Sequence, residues 1–342
     1  MRRAADAAEL GGPVLLVVLT ALFGTTVSLS TETYVINALV AVGIVVALYV
    51  FIGGSGVLSF GHISFVAVGA WTAGVLSVSQ SEKPAIMPNL AHFLRDTTVG
   101  NVPSLALAAA VGGAFALLAG LPLMRLSGLA AGIATFAVLE ITHNLLRFQE
   151  KIGPGLNTFS SVPETTGLRQ AAIGAVLAVV VAFAYQRSRF GRLLRATRED
   201  PSAARAVGVS VYRQRLLAFT LSGALAGLAG GLYVHLLPLN TETVYLDLTF
   251  ITLAMLVIGG ATSLWGAVVG ALAVSALDSF LAEAEAGIEL GGRTLDLPAG
   301  TRIIVVGAMM ALVLILRPSG LTGGRELRLP RLRRREPERA AA

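Results

Sequence analysis

Long apolar segments recur through this 342-residue chain and limit its possible folds more than any other feature. A helix needs about 20 predominantly apolar residues to cross a hydrocarbon core about 30 Å thick. We therefore predict an all-α polytopic membrane protein with about ten transmembrane helices. The stretch GGSGVLSFG at 53–61 is a candidate re-entrant break that would alter the local count. The predicted spans are 13–30, 35–52, 62–79, 103–122, 128–148, 170–186, 215–236, 248–262, 267–283 and 301–316.

Basic residues are distributed unevenly between these segments. Arginines cluster at the N terminus, between 187 and 215, and after 317, whereas 237–247 has two acidic residues and no basic one. The positive-inside rule then places both termini in the cytoplasm. The net charge of +6 comes from such flanking residues, so we predict no nucleic-acid binding. Residues 1–316 are the predicted membrane domain, with a cytoplasmic loop at 187–214. Residues 317–342 are predicted to be a disordered, Arg-rich cytoplasmic tail that contacts membrane lipids.

The Arg-rich stretch GRLLRATREDPSAARAVGVSVYRQRLLAF, at 191–219, contains the signals of a short helix. Asp200 is a favourable N-cap, Pro201 suits the first helical position, and Gly208 can take the left-handed conformation that ends a helix. These signals predict a helix over Pro201–Val207, which is too short to be stable alone. Its small apolar residues, Ala203, Ala204 and Val207, form a predicted face that suits docking in a groove of a partner. The alternative is a solvated connector that happens to be helical.

Five ordered blocks of the sequence are similar to one known family. They are GGSGVLSFGHISFVAVGAWTAGVL (53–76), LMRLSGLAAGIATFAVLEI (123–141), SRFGRLLRATREDPSAARAVGVSVYRQRLLAFTLSGALAGLAGGLY (188–233), VIGGATSLWGAVVGALAV (257–274) and ILRPSGL (315–321). Together they resemble the LivM-type permeases, which are the membrane subunits of ABC importers for branched-chain amino acids in the bacterial plasma (inner) membrane.

The resemblance implies an ABC importer permease fold and a set of partners. A second, LivH-type permease subunit would complete the translocation path, two ABC ATPase subunits would drive it, and an extracytoplasmic substrate-binding protein would deliver the solute. The short helix would be the coupling helix that docks on an ATPase. The residues that the resemblance implies for ATPase coupling are Glu199, Asp200, Pro201, Ala203, Ala204, Val207 and Gly208.

The sequence departs from the family pattern at Ala130, where an aromatic residue is usual, in the loop 149–169, and at Pro201, where an acidic residue is more usual. Another small polar solute, such as urea, a short amide or an aromatic acid, therefore stays open as the substrate. An ion-coupled secondary transporter is the competing class of protein. That class would need acidic residues deep in its spans and no docking helix, and only Glu140 lies deep in a predicted span.

The chain carries no sequence signal for nucleotide or metal chemistry. A phosphate-binding loop ends in Gly-Lys-Ser/Thr, but Lys83 and Lys151, the only lysines, both follow glutamate. We therefore expect ATP and Mg²⁺ to be used by partner ATPase subunits and no cofactor to be bound by this chain. The four histidines form no zinc-binding pattern and cysteine is absent, so neither a metal site nor an enzymatic activity is predicted.

Two groups of polar residues within the predicted spans are candidates for the translocation path, because such groups are costly in lipid and usually face a cavity or a partner. The first group lies at helical spacing on the fifth span and consists of Glu140, His143 and Asn144, followed by Arg147. The second follows the glycine-rich break and consists of Ser59, His62 and Ser64. The alternatives are internal pairing of Glu140 with its neighbours, and a tight turn in which His62 is bonded to backbone.

Overall fold

The computed structural model describes residues 2–290, 293–295, 297–298, 300–317 and 319–326. Within these residues the chain is helical apart from one short antiparallel hairpin. The helices are α1 (Arg2–Gly24), α2 (Leu29–Ser55), α3 (His62–Ser77), α4 (Lys83–Ile86), α5 (His92–Arg95), α6 (Asn101–Leu123), α7 (Gly128–Phe148), α8 (Leu168–Arg187), α9 (Arg189–Glu199), α10 (Pro201–Ala206), α11 (Val211–Val234), α12 (Leu246–Gly259), α13 (Leu264–Ala286) and α14 (Thr301–Leu316). The hairpin pairs β1 (Ile288–Leu290) with β2 (Arg293–Leu295).

Six of the described helices are long and apolar enough to cross a membrane: α2, α6, α7, α8, α11 and α13. The other four predicted spans coincide with shorter apolar helices, namely Ala8–Gly24 within α1, and α3, α12 and α14. A helix of 16 residues is about 24 Å long, which is less than the hydrocarbon thickness. The chain is thus a multi-pass helical membrane protein, and the count of ten spans stays a prediction.

Helix α2 lies at the centre of the helical bundle. It packs against α1, α8, α11, α12 and α13, and it is buried over nearly its whole length. Its sequence explains this position, because no charged residue occurs after Glu32 and the apolar residues cover every face. The outer helices α6, α7 and α8 bury one face and expose apolar residues on the other, as lipid-facing helices do.

Glycine allows α3, α6 and α11 to approach each other closely. A Cβ atom on Gly69 of α3 would collide with the backbone of Gly227 in α11, and one on Gly227 would collide with the Ala108 carbonyl of α6. Gly112 of α6 meets the same stretch of α11 backbone. Packing of small residues replaces the hydrophobic effect as the force that associates helices in lipid. These glycines therefore determine how the three helices cross.

The end of the bundle that carries α9 and α10 is here called the α10 end. Two glycine-rich turns lie at this end. The first joins α2 to α3 through Gly56, whose φ of 69° requires glycine, and the second joins α12 to α13 through Gly260, with φ of 120°. Of the segment 53–61, residues 53–55 thus end α2, and 56–61 form the turn that leads into α3. The backbone N–H of Phe60 in this turn donates to Thr135 Oγ1 of α7 at 3.1 Å.

The opposite end consists of longer loops that pack on one another. The fully buried Lys83 amine donates to the carbonyls of Leu94, at 2.8 Å, and Thr97. Burial lowers the pKa of Lys83, and the charge of Asp96 acts in the other direction. Phe159 forms an isolated antiparallel bridge with Leu239. These contacts hold the loops between α3 and α6, between α7 and α8, and between α11 and α12.

Residues 319–326 fall within the predicted tail, but they pack against the turn between α12 and α13. The Leu321 amide donates to the Ile258 carbonyl at 2.8 Å, and the Thr322 amide donates to the Gly259 carbonyl at 3.2 Å. The prediction of disorder is therefore wrong for 319–326, because the exposed carbonyls at the end of α12 provide hydrogen-bond partners for this stretch. The rest of the tail, from residue 327 onward, lies outside the described residues.

Candidate functional site

The short helix α10 has the N-terminal cap that its sequence predicts. Asp200 Oδ1 accepts hydrogen bonds from the Ser202 amide at 2.8 Å and the Ala203 amide at 2.9 Å. These two bonds hold the pKa of Asp200 below its usual value. Pro201 occupies the first turn, where its missing N–H group leaves no bond unmade. The predicted start of the helix is confirmed.

The C-terminal end of α10 comes one residue earlier than predicted. The last helical residue is Ala206, and Val207 has left the helical conformation. Gly208 takes a φ of 82°, its amide donates to the Arg205 carbonyl at 2.9 Å, and the Val209 amide donates to the Ala204 carbonyl at 2.9 Å. Glycine is favoured here because a side chain is strained at positive φ.

The predicted docking face of α10 needs a correction. Ala203 is exposed and Val207 is 79% exposed, but Ala204 is only 5% exposed. Ala204 is buried because α10 rests on α9 and α11, and its side chain points toward them. The surface that α10 presents therefore includes Ala203 and Val207 without Ala204.

Glu199, the last residue of α9, is largely exposed and lies 3.8 Å from Arg198 Nε. A surface ion pair at this distance contributes little to stability. Glu199 therefore belongs to the exposed surface of the arm rather than to its attachment.

Helix α9 attaches α10 to the central helix of the bundle. The fully buried Leu194 side chain packs on Gly54 of α2, and Arg198 Nη1 donates to the Gly53 carbonyl at 2.7 Å. Arg195 Nη2 donates to the Gln186 carbonyl at 2.8 Å, while the Gln186 side chain accepts a hydrogen bond from the Tyr49 hydroxyl at 2.6 Å. From the sequence alone, these arginines indicate only the orientation of the chain in the membrane. A rigid arm, α9–α10, thus joins α2 at its glycine break.

Ser59 and His62 form a packed cluster rather than a polar surface. Both residues are 1% exposed, and His62 Nδ1 lies 2.7 Å from Ser59 Oγ. The His62 ring is surrounded by Phe51, Phe65 and Phe219, with ring centroids 5.3 to 5.6 Å away. This arrangement differs from the predicted alternative of a bond to backbone, because the partner is the Ser59 hydroxyl. The cluster lies where α2, α3 and α11 meet.

Ser64 lies apart from the Ser59–His62 cluster and faces α7. It is fully buried, its hydroxyl has no hydrogen-bond partner among the described residues, and it lines a crevice too narrow for a water molecule together with Thr142, His143 and Thr241. His143 Nδ1 is likewise buried without a partner in the part of the chain that the structure describes. The structure therefore brings Ser64 and His143 together from the two groups that the sequence suggested.

Glu140 is the centre of a polar cluster on the outer part of α7. Its Oε1 accepts a hydrogen bond from Asn144 Nδ2 at 2.8 Å, and its Oε2 accepts one from the Tyr245 hydroxyl. The His143 ring stacks on the Tyr245 ring with centroids 3.9 Å apart and an interplanar angle of 16°. Glu140 is half-buried and Asn144 is exposed. The pairing of Glu140 with Asn144, which was one of the two alternatives, is present.

A shared carboxylate extends this cluster toward the opposite end of the bundle. Glu242 Oε1 lies 3.1 Å from Arg147 Nη1 and 3.6 Å from His143 Nε2. Glu242 and Tyr245 come from the loop before α12, and sequence reasoning did not assign them to the path. A polar residue just before an apolar segment is only a weak indication of a residue in the translocation path, since most such residues simply face water. In the part of the chain that the structure describes, no three His, Asp or Glu residues are placed to hold a metal ion.

Comparison with known proteins gives one family and several relatives. Residues 27–314 match the model of the branched-chain amino acid transport system / permease component family. The high-affinity branched-chain amino acid transport system permease protein LivM of Salmonella typhimurium is 26% identical over 309 residues, which covers 80% of this chain and 65% of that protein. The chain thus spans slightly less than two thirds of the length of this relative.

Two further relatives match shorter regions. A probable branched-chain amino acid transport permease protein LivH of Methanocaldococcus jannaschii is 34% identical over 154 residues, or 43% of this chain and 44% of that protein. The xylose transport system permease protein XylH of Haemophilus influenzae is 29% identical over 144 residues, or 40% of this chain and 36% of that protein. No solved structure matches the chain.

Proposed function

This chain belongs to the family of branched-chain amino acid transport system permease components, and we propose that it is the membrane subunit of an ATP-driven importer for branched-chain or related amino acids. It is a transport permease subunit and not an enzyme. The ATP and Mg²⁺ that drive it would be used by two separate ATPase subunits.

One observation carries this proposal: a capped two-turn helix stands on a rigid arm attached to the centre of the bundle. Alternating access requires a rigid element that transmits movement between two states. The arm fits this role, because Leu194 and Arg198 fasten α9 directly to α2 at Gly53 and Gly54. A push on α10 would therefore reach the central helix without passing through a flexible linker.

The ATPase would contact the exposed side of α10 in this proposal. Ala203 and Val207 are exposed apolar residues on this side, as is Ala206, and Glu199 lies at its start. Asp200, Pro201 and Gly208 would shape the helix rather than touch the partner, and Ala204 would seat it on α9 and α11. The α10 end then faces the cytoplasm, in agreement with the arginines of 187–214.

The translocation path would run along α3 and α7, completed by a second permease subunit. Ser64 and His143 line one narrow crevice, and Glu140 and Asn144 are accessible beside it. A carboxylate within a membrane-spanning helix suits the ammonium group of a zwitterion. Ser59 and His62 would have a structural role at the turn, since the aromatic rings of three helices enclose them.

A branched-chain amino acid is the proposed substrate because the matched family and the LivM relative carry that name. The xylose permease relative indicates that a different small polar solute is compatible with this type of chain. A soluble substrate-binding protein on the other side of the membrane would select the solute. Uptake of labelled leucine, urea and xylose by cells with and without the chain distinguishes these substrates.

The proposal is tested by purifying the tagged chain from native membranes. An ATPase subunit should be recovered with it, whereas its complete absence would favour a secondary transporter. The variant Val207→Asp places a charge on the exposed side of α10, so it should abolish ATPase recovery and ATP-dependent uptake while the chain still inserts. The matched control Phe93→Asp changes a residue that is 73% exposed at the opposite end, and it should leave ATPase recovery unchanged.

A further inference from the structure

The segment 319–326, here called the strap, is fastened to the turn between α12 and α13. Besides the two backbone bonds to Ile258 and Gly259, Thr322 Oγ1 donates to the Gly259 carbonyl at 2.8 Å. The strap ends at Glu326, whose two carboxylate oxygens accept the Leu264 amide at 2.8 Å and the Trp265 amide at 3.2 Å. A carboxylate is well placed at the first turn of α13, because the free N–H groups there carry partial positive charge.

The two glycine breaks of the bundle touch each other. Gly53 lies so close to the Ala261 carbonyl that a Cβ atom at position 53 would collide with it. The first break is held by α9, through Arg198 and Leu194, and the second is held by the strap. Each break joins two apolar helices, α2 to α3 and α12 to α13. The same end of the molecule therefore contains two hinge-like turns, and each is fixed by a different segment.

Glu326 lies at the meeting point of these segments. Its carboxylate interacts electrostatically with Tyr49 of α2 and with Arg195 of α9. Burial raises the pKa of Glu326, while the two amide bonds act in the opposite direction. Tyr49 also donates to Gln186, which accepts a bond from Arg195 through its backbone. One carboxylate thus bonds to the start of α13 and interacts electrostatically with the base of the α9–α10 arm.

Capping alone does not account for Glu326. Ser263 already caps α13, since its Oγ accepts the Gly266 amide at 2.9 Å. A second acceptor from a distant segment, half-buried beside an arginine and a tyrosine, is more than helix formation requires. Charged hydrogen-bond partners that are partly withdrawn from water are costly to separate, so they hold segments in a fixed relation.

We propose that Glu326 is a positioning residue for coupling, which ties α13 to the base of the α9–α10 arm so that movement of α10 reaches both glycine breaks together. This inference rests on the proposed function, because it assigns Glu326 a role in transmitting the work of an ATPase. Without Glu326 the arm would still move α2, but a smaller part of its movement would reach α12 and α13. Solute movement would then fall while ATP hydrolysis continued.

The test is the number of solute molecules moved per ATP hydrolysed by the whole complex in proteoliposomes. Glu326→Ala should lower this ratio by roughly tenfold, the size expected when a hydrogen bond to a charged group is lost. Glu326→Gln keeps the length of the side chain and one acceptor oxygen but removes the charge that acts on Arg195, so it should lower the ratio in the same direction. Glu285→Ala is the matched control: it removes a different carboxylate that accepts an amide at the start of a helix, that of Arg302 at 2.7 Å, so its ratio should equal that of the unmodified chain.

The inference is overturned if the ratio for Glu326→Ala is unchanged, including the case in which transport and ATP hydrolysis fall in parallel. If Glu326→Ala does not assemble, the ratio for Glu326→Gln decides, and an unchanged value rejects the coupling role. Failure of the proposed function is distinct, because the unmodified complex would then show no ATP-dependent uptake at all.

Discussion

At the scale of single residues, the most informative groups are those that fix backbone geometry. Asp200 supplies two bonds to the first turn of α10, and its lowered pKa keeps the carboxylate charged. A depressed pKa means that the cap contributes fully above the ordinary aspartate pKa and is lost as the pH falls through the lowered value. Assays near neutral pH therefore measure the charged, capped form.

Removal of the cap should weaken ATPase binding without unfolding the chain. Asp200→Ala leaves the Ser202 and Ala203 amides without their acceptor, so α10 should fray and recovery of the ATPase should fall severalfold. Asp200→Asn keeps a good capping oxygen and should retain most of the recovery. Equal recovery for the alanine variant and the unmodified chain would show that α10 does not need a fixed shape.

Local residue types made this part of the site predictable. Asp-Pro at the start and glycine at the end act within a few residues, so a single sequence is sufficient to locate α10. The orientation of Ala204 was not predictable, because it depends on how α10 rests on α9 and α11. The contact between Glu140 and Tyr245 joins residues 105 positions apart, and nothing in either local sequence indicates it.

At the scale of helices, the crossing of α3, α6 and α11 is set by glycine. Any side chain at Gly69 or Gly227 would meet backbone atoms of a neighbouring helix, which cannot move aside as a flexible side chain can. Sequence composition predicted close helix packing in general. It could not assign partners to particular glycines, because all 38 look alike in sequence and only the fold pairs them.

The close contact of α3 with α11 predicts a large difference in thermal stability between two glycine substitutions. Gly69→Ala should lower the thermal stability of the detergent-purified protein, with a cost of about 1–3 kcal/mol for overpacking. Gly307→Ala in α14 is the matched control, because none of the described residues lies within 4 Å of the added Cβ atom and alanine favours a helix. Equal melting temperatures for the two variants would contradict the assigned contact of α3 with α11.

The strap shows a limit of reading elements from composition. An Arg- and Pro-rich C-terminal region is typical of a disordered tail, so the sequence of 317–342 predicts disorder. The turn at α12–α13 offers carbonyls and amides that only the folded bundle exposes, and 319–326 satisfies them. Tertiary partners therefore order a stretch whose own sequence favours no regular structure.

At the scale of the whole molecule, the sequence predicted the helical membrane class and the order of the apolar helices. Each of the ten predicted spans coincides with an apolar helix in the described residues, and six of these are long enough to span by themselves. The residues that line the translocation path were harder to predict from the sequence. Polar residues inside spans mark both packed clusters, such as His62, and accessible groups, such as Glu140, and the difference depends on tertiary neighbours.

The proposed function depends on a contact between α10 and an ATPase subunit. The chain has no cysteine, so Val207→Cys introduces a single reactive thiol on the exposed side of α10. A thiol-linked photo-cross-linker of short reach can then report what lies next to this position in native membranes. Phe93→Cys, at the opposite end, provides a control with similar exposure.

Cross-linking from position 207 is the most direct test of the central claim. The account predicts one main product, a conjugate of this chain with an ABC ATPase subunit, which mass spectrometry identifies and which is absent from the Phe93→Cys sample. Conjugates with lipid alone from position 207, or the same ATPase conjugate from both positions, would contradict the claim that α10 is the coupling element.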